Sequence, residues 1–198
     1  MYKAMLDQPV PDFSAVSTGG EFRLSDLRGR KVVLYFYPKA NTPGCTRESQ
    51  DFRDLAAEFE RAGATIVGVS RDGLKAQANF KARHALPFEL LADTDEAVCR
   101  LFDVIKEKNM YGRKVLGIVR STFLIDADGV LGLEALGTIL EHALVVGALP
   151  VGVGDCTGRQ PDRHVAPVVA EERRFEVAYH ALGLHEFLEA EPVAGIDV

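Results

Sequence analysis

A chain of 198 residues with 47% hydrophobic and 26% charged side chains can bury a sizeable core, which excludes a disordered polymer and suits one domain with an appendage. The formal net charge of −6 counts against binding nucleic acid or an anionic membrane surface by charge alone. The opening stretch MYKAMLDQPVPDF has no apolar segment of signal-peptide type, and no run of about 18 apolar residues occurs, so a cytoplasmic chain without a membrane span is expected.

Taken in chain order, Pro11–Val16 is a strand candidate followed by a Gly19-Gly20 turn, and Ser25–Gly29 suits a single helical turn. Lys31–Tyr37 (KVVLYFY) is apolar on both faces, as a central strand requires. A loop, Pro38–Gly44, leads into a helix from about Pro43 to Ala62, whose Phe52, Leu55, Ala56 and Phe59 keep helical spacing until Gly63 ends it. Ala64–Ser70 reads as a second buried strand, Leu74–His84 as a helix, Phe88–Ala92 as a strand and Glu96–Phe102 as a short helix. Ile118–Asp126 (IVRSTFLID) reads as one continuous strand turned by Asp128-Gly129. Strands alternating with helices predict an α/β domain with a mixed central sheet flanked by helices.

The remainder differs in composition. All eight lysines lie at or before Lys114, after which five Arg and thirteen Asp or Glu follow. Leu131–Leu136 suits a last strand, Leu144–Gly154 is apolar and Gly-rich without a period, and Glu171–Glu191 suits a helix. The division expected is a domain over residues 1–140 and an atypical C-terminal extension over 141–198. Two origins fit this tail: a lineage-specific extension, or a shifted reading frame that replaced the native C-terminus.

Three cysteines, Cys45, Cys99 and Cys156, form no Cys-x-x-Cys pair and have no histidine near them in sequence, which opposes a zinc site. Of the three, Cys45 has the distinctive setting. Thr42 is a candidate N-cap and Pro43 a first helical residue, so Cys45 falls in the first turn, where free N–H groups and the helix dipole favour a thiolate. A small core residue at a helix start gives the same pattern. Arg120, set among apolar residues of a strand, requires an anionic partner; that thiolate or a carboxylate would serve.

The stretch FYPKANTPGCTRESQDFRD, with IVGVSRD, DEAVCRLFDVIKEKNMYGRKVLGI and RSTFLIDADG, closely resembles peroxiredoxins of the bacterioferritin-comigratory, or Q-type, branch over residues 3–131. Pro38, Thr42 and Cys45 match the family's active-site spacing, and Arg120 matches its later-strand arginine. The resemblance implies a thioredoxin-like fold and a thiol-dependent peroxidase acting on hydrogen peroxide and small organic hydroperoxides. It implies no metal, haem or flavin cofactor, thioredoxin or a small thiol as electron donor, and a monomer or weak homodimer. In this scheme Cys45 attacks the peroxide and becomes a sulfenic acid, and Arg120 stabilises the charge. Thr42 aligns the peroxide, Pro38 shields the thiol, and Glu48 either orients Arg120 or is simply an acid in a first helical turn. A peroxide sensor that relays oxidation to a partner protein is the alternative.

The chain departs from that branch in its second thiol. The two usual resolving positions hold Gln50 and Lys81. Three cycles stay open: reduction of Cys45 by an external thiol, or resolution by Cys99 or by Cys156. Cys99, beside Val98, Leu101 and Phe102, also fits as a buried small residue.

Overall fold

The computed structural model describes residues 3–110 and 113–136. Among the described residues are nine strands and four α-helices; strands and helices alternate from β3 to α4, as the hydrophobic pattern predicts, and one seven-stranded mixed sheet lies at the centre. The strands are β1 (Ser14–Ser17), β2 (Gly20–Arg23), β3 (Lys31–Phe36), β4 (Ala64–Ser70), β5 (Glu89–Ala92), β6 (Ile105–Met110), β7 (Arg113–Ile118), β8 (Ser121–Ile125) and β9 (Leu131–Leu136). The helices are α1 (Pro43–Asp54), α2 (Ala56–Arg61), α3 (Leu74–His84) and α4 (Ala97–Leu101). The main sheet runs β2-β1-β5-β4-β3-β8-β9, and β6 pairs with β7 as a separate hairpin. No helix among the described residues is long and apolar enough to cross a membrane.

The strand that is apolar on both faces is central, as its composition demands. β3 lies parallel to β4 and antiparallel to β8, with Tyr35 opposite Gly68 on one side and Thr122 on the other. Alternate side chains of β3 divide the core in two. Val33, Tyr35 and Tyr37 pack with Cys45, Phe52 and Phe59 of α1 and α2, and with Phe80 of α3. Val32, Leu34 and Phe36 pack on the opposite face with Val98, Cys99 and Phe102 around α4.

Three sequence expectations need correction. The helix expected over Pro43–Ala62 is two helices, broken at Leu55, whose φ of −98° and ψ of 4° depart from helical geometry. Phe52 and Phe59, on either side of the break, pack into the same core. The strand expected over Ile118–Asp126 is interrupted at Val119 and Arg120. Ile118 belongs to the β6–β7 hairpin opposite Ile105, and β8 begins at Ser121. Arg120 therefore sits at the junction of two sheets, not mid-strand, where its head group is not confined between neighbouring strands. Finally, the β6–β7 hairpin corresponds to no expected element, because Lys106-Glu107-Lys108-Asn109 lacks apolar alternation. Leu131–Leu136 is a strand as expected, paired with β8. The extension over 141–198 lies outside the described residues.

Candidate active site

β3 delivers the chain to the carboxyl end of its parallel pairing with β4, the edge at which α/β sheets gather functional groups. Tyr37 N–H still bonds to Val69 O at 3.0 Å, and then the chain leaves the sheet. Pro38 is half-buried and Ala40 buried. Asn41 takes a left-handed φ of 59°, which asparagine tolerates better than most side chains. Thr42 returns to extended backbone as the N-cap of α1, and Pro43 occupies the first turn. The Thr42 carbonyl accepts from Thr46 N–H at 2.8 Å. Cys45 is thus the third helical residue, as the sequence predicts, and its side chain is 1% exposed.

The Thr42 hydroxyl does not cap the helix as expected. It donates to Lys39 O at 3.0 Å, because the left-handed turn at Asn41 folds the loop back and brings that carbonyl within reach. The N–H groups of Gly44 and Cys45 precede the first intrahelical donor, so neither takes part in the helix's own bonding.

Arg120 reaches this helix end because its position continues the alternation of β8. Leu124 lies opposite Val33 and Thr122 opposite Tyr35, both on the α1 face, and Arg120 is two residues earlier. Its guanidinium forks: Nη2 donates to Cys45 Sγ at 3.2 Å and Nη1 to the Glu48 carboxylate. Arg120 is 11% exposed and Glu48 1% exposed, so the pair is desolvated and each charge needs the other. The second Glu48 oxygen has no partner among the described residues. One turn along α1, Ser49 Oγ lies 3.1 Å from the Tyr35 hydroxyl. Burial pushes the Tyr35 phenol well above its ordinary range, and the neighbouring Tyr37 pushes it further, so it stays protonated.

The structure thus joins Arg120 to Cys45 and Glu48, with Thr42 at the N-cap of the same helix and Pro38 in the loop that leads to it. It also shows a contact that sequence reasoning missed: Asp72 Oδ2 accepts from Ala40 N–H at 2.7 Å in the middle of the loop. The signal for it was positional, a carboxylate two residues beyond β4, at the same sheet edge as Cys45.

The other thiols stand elsewhere. Cys99 is fully buried in the core on the opposite face of the sheet. Burial pushes its thiol far above the ordinary range, and the Asp93 carboxylate beside it adds to the effect. That carboxylate is fixed by the N–H groups of Val98 and Cys99, at 3.0 and 2.7 Å. Cys156 lies outside the described residues. At the two usual resolving positions, Gln50 contacts the His84 ring at 3.4 Å and Lys81 pairs with Glu89 at 2.7 Å.

A family model described as the AhpC/TSA family matches residues 6–133, a stretch that contains the whole of this constellation. The chain is a peroxiredoxin of the AhpC/TSA family. The peroxiredoxin is 52% identical over 132 residues to Peroxiredoxin Bcp of Xanthomonas campestris, which covers 65% of this chain and 82% of that relative. It is 43% identical over 121 residues to Peroxiredoxin Bcp of Escherichia coli, covering 61% of this chain and 78% of the relative. Among solved structures, Xanthomonas campestris Peroxiredoxin Q superposes with a TM-score of 0.65 at 48% identity, over 72% of this chain and 93% of that one. A trapped intermediate/ligand complex of the Xanthomonas campestris bacterioferritin comigratory protein, solved for insight into its alkyl peroxide reduction activity, gives the same TM-score at 47% identity, over 73% and 94%. The peroxiredoxin is therefore a thiol-dependent peroxidase of the Bcp, or Q-type, branch with a thioredoxin-like fold.

Proposed function

We propose that this peroxiredoxin reduces hydrogen peroxide and organic hydroperoxides at Cys45 through a sulfenic acid, in a one-cysteine cycle completed by an external thiol. The observation that carries the reading is the fork of Arg120 between Cys45 Sγ and the Glu48 carboxylate. A buried guanidinium donating to sulfur favours the thiolate, the form that attacks. Organic substrates are supported by the alkyl peroxide reduction activity for which the Xanthomonas campestris relative is described.

Each residue has a step. The Cys45 thiolate attacks the peroxide oxygen that bears hydrogen. An S–O bond forms, the O–O bond breaks, and the remaining oxygen leaves as hydroxide or alkoxide and takes a proton from solvent. The Arg120 guanidinium and the first-turn N–H groups of Gly44 and Cys45 stabilise the charge that moves onto the leaving oxygen. Because its own hydrogen is committed to Lys39 O, the Thr42 hydroxyl accepts from the peroxide O–H and thereby aims it. Pro38 covers the sulfur and limits water. A donor thiol then attacks the sulfenic sulfur, water leaves, and a second donor thiol releases Cys45 from the mixed disulfide. Thioredoxin or a low-molecular-weight thiol would serve, which fits a role in antioxidant defence and redox homeostasis. The one-cysteine form is supported by Gln50 and Lys81 at the usual resolving positions and by the site of Cys99 across the sheet. No observation at the site favours relay of the oxidation to a partner protein.

The test is peroxide consumption by the purified protein, first with thioredoxin and its reductase, then with glutathione or dithiothreitol, beside a C45S control. Turnover in wild type and none in C45S is expected, with Cys45 outpacing free cysteine by several orders of magnitude. A wild-type rate equal to that of free cysteine would sink the assignment.

A further inference from the structure

The loop between β3 and α1 carries two residues of the active-site pattern, yet its midpoint is held by a residue outside that pattern. Ala40 packs into the same core as Tyr37 and Cys45, so its N–H has little access to water. That N–H donates to Asp72 Oδ2 at 2.7 Å. The same oxygen accepts from the Ser70 hydroxyl at 2.8 Å. Ser70 Oγ in turn accepts from Asp72 N–H at 3.2 Å and from Gln77 Nε2 at 2.9 Å. Buried Gln77 also donates to Leu91 O at 2.9 Å and accepts from the Tyr37 hydroxyl. One network thus joins β4, β5 and α3 to both ends of the short segment Tyr37–Ala40. Beyond Ala40 only Asn41, with its left-handed φ of 59°, separates the anchor from Thr42.

We propose that Asp72 is a positioning residue of the peroxidase: its carboxylate, by holding Ala40 N–H, fixes the Asn41 turn and so stands the Thr42 hydroxyl and Pro38 over Cys45. The proposal rests on the reading of Cys45 as the peroxide-attacking thiol and deepens it. A hydrogen bond to a carboxylate is stronger than one to a neutral acceptor, and the left-handed conformation at Asn41 persists only when its surroundings impose it. Without the anchor, Asn41 relaxes towards its preferred backbone and the Lys39 carbonyl moves away from the Thr42 hydroxyl. The sulfur itself is set differently. Its partners are Arg120, carried by the β8 junction, and the start of α1, and Asp72 touches neither. Loss of Asp72 therefore degrades peroxide alignment and leaves the intrinsic reactivity of the thiol in place.

The experiment compares two rate constants of Cys45 in the full chain, oxidation by hydrogen peroxide and alkylation by iodoacetamide, in wild type, D72A, D72S and D72N. Alkylation reads thiolate availability without needing Thr42 or Pro38 to align anything. D72A and D72S are expected to lose about 10- to 100-fold in the peroxide rate, with alkylation unchanged. D72N is expected to recover most of the peroxide rate, since an amide oxygen still accepts from Ala40 N–H and from Ser70, though less strongly than a carboxylate. Equal peroxide rates in wild type, D72A and D72S would overturn the proposal. So would a parallel fall of both rates, or a D72N as slow as D72A. If wild-type Cys45 itself reacts no faster than free cysteine, the underlying peroxidase assignment falls, an outcome visible before any variant is compared. D72S keeps the test alive should D72A melt below the assay temperature.

Discussion

Arg120 divides one guanidinium between a sulfur and a carboxylate, and that division fixes what each neighbour is for. Glu48 is too buried to be a surface ornament, and its carboxylate would be costly without the arginine. With it, Nη1 is occupied, so Nη2 is the nitrogen left to face Cys45. E48A should remove the carboxylate that pairs with a nearly buried positive charge, costing roughly 3–5 kcal/mol in folding stability, and should slow oxidation of Cys45 by about tenfold or more as the guanidinium shifts. E48Q keeps an acceptor oxygen and should recover much of the stability. Denaturant melts and stopped-flow oxidation check both, and an E48A protein as stable and as fast as wild type would leave Glu48 without this role. At this scale the local sequence marked Cys45 through its place at a helix start and Arg120 through its apolar surroundings, while the family resemblance supplied Pro38 and the active-site grouping with Thr42. The sequence was evenly balanced on Glu48, because an acid early in a helix is favourable in any case. It was silent on Asp72, whose partner is a backbone N–H thirty-two positions away and leaves no side-chain signature.

Elements were legible where hydrophobic pattern and local stereochemistry agreed. β3 and β4 declare themselves by uninterrupted apolar runs, and α1 by Thr-Pro at its start. The break at Leu55 escaped notice because the apolar spacing runs on through it, and the break at Arg120 because Ile118–Ile125 is apolar on both sides of a change of sheet. How α1 meets α3 was not legible at all. That contact centres on His84, whose ring lies 3.4 Å from Gln50 and edge-on to Phe80, while its carbonyl accepts from Arg53 at 3.0 Å. Burial lowers the His84 pKa below its ordinary 6.5, and the charges of Arg83 and Arg53 lower it further, so the folded protein prefers the neutral ring. The unfolded chain then takes up the proton first as pH falls. This part of the stability is complete above about 6.5 and is lost progressively below it. H84Q keeps a hydrogen-bonding side chain opposite Gln50 but cannot titrate. Its denaturation midpoint should fall less than that of wild type between about pH 7.5 and pH 5.5, and parallel declines would exclude His84 as the source.

For the molecule as a whole, the decisive feature is that the sheet separates two thiols. Cys45 belongs to the core above β3, with Tyr35 and Phe52, and Cys99 to the core below it, with Phe36 and Phe102. A disulfide requires the two sulfurs at about 2 Å, whereas here they lie in separate core layers on opposite faces of the sheet. Cys99 is also a poor nucleophile where it stands, because burial and the Asp93 carboxylate both oppose its thiolate. C99A should therefore sustain full thiol-driven turnover while losing about 1 kcal/mol or more of stability to the small cavity it leaves. After one equivalent of peroxide, non-reducing peptide mapping of wild type should find Cys45 as a sulfenic acid or as a mixed disulfide with the donor, and no Cys45–Cys99 bridge. A Cys45–Cys99 bridge would mean that the sheet opens during the cycle, and a Cys45–Cys156 bridge that the extension supplies the resolving thiol. Either finding would replace the one-cysteine cycle with a two-cysteine one, whereas loss of turnover in C99A with no bridge would trace to packing beneath β3 and would appear equally in the thermal melt.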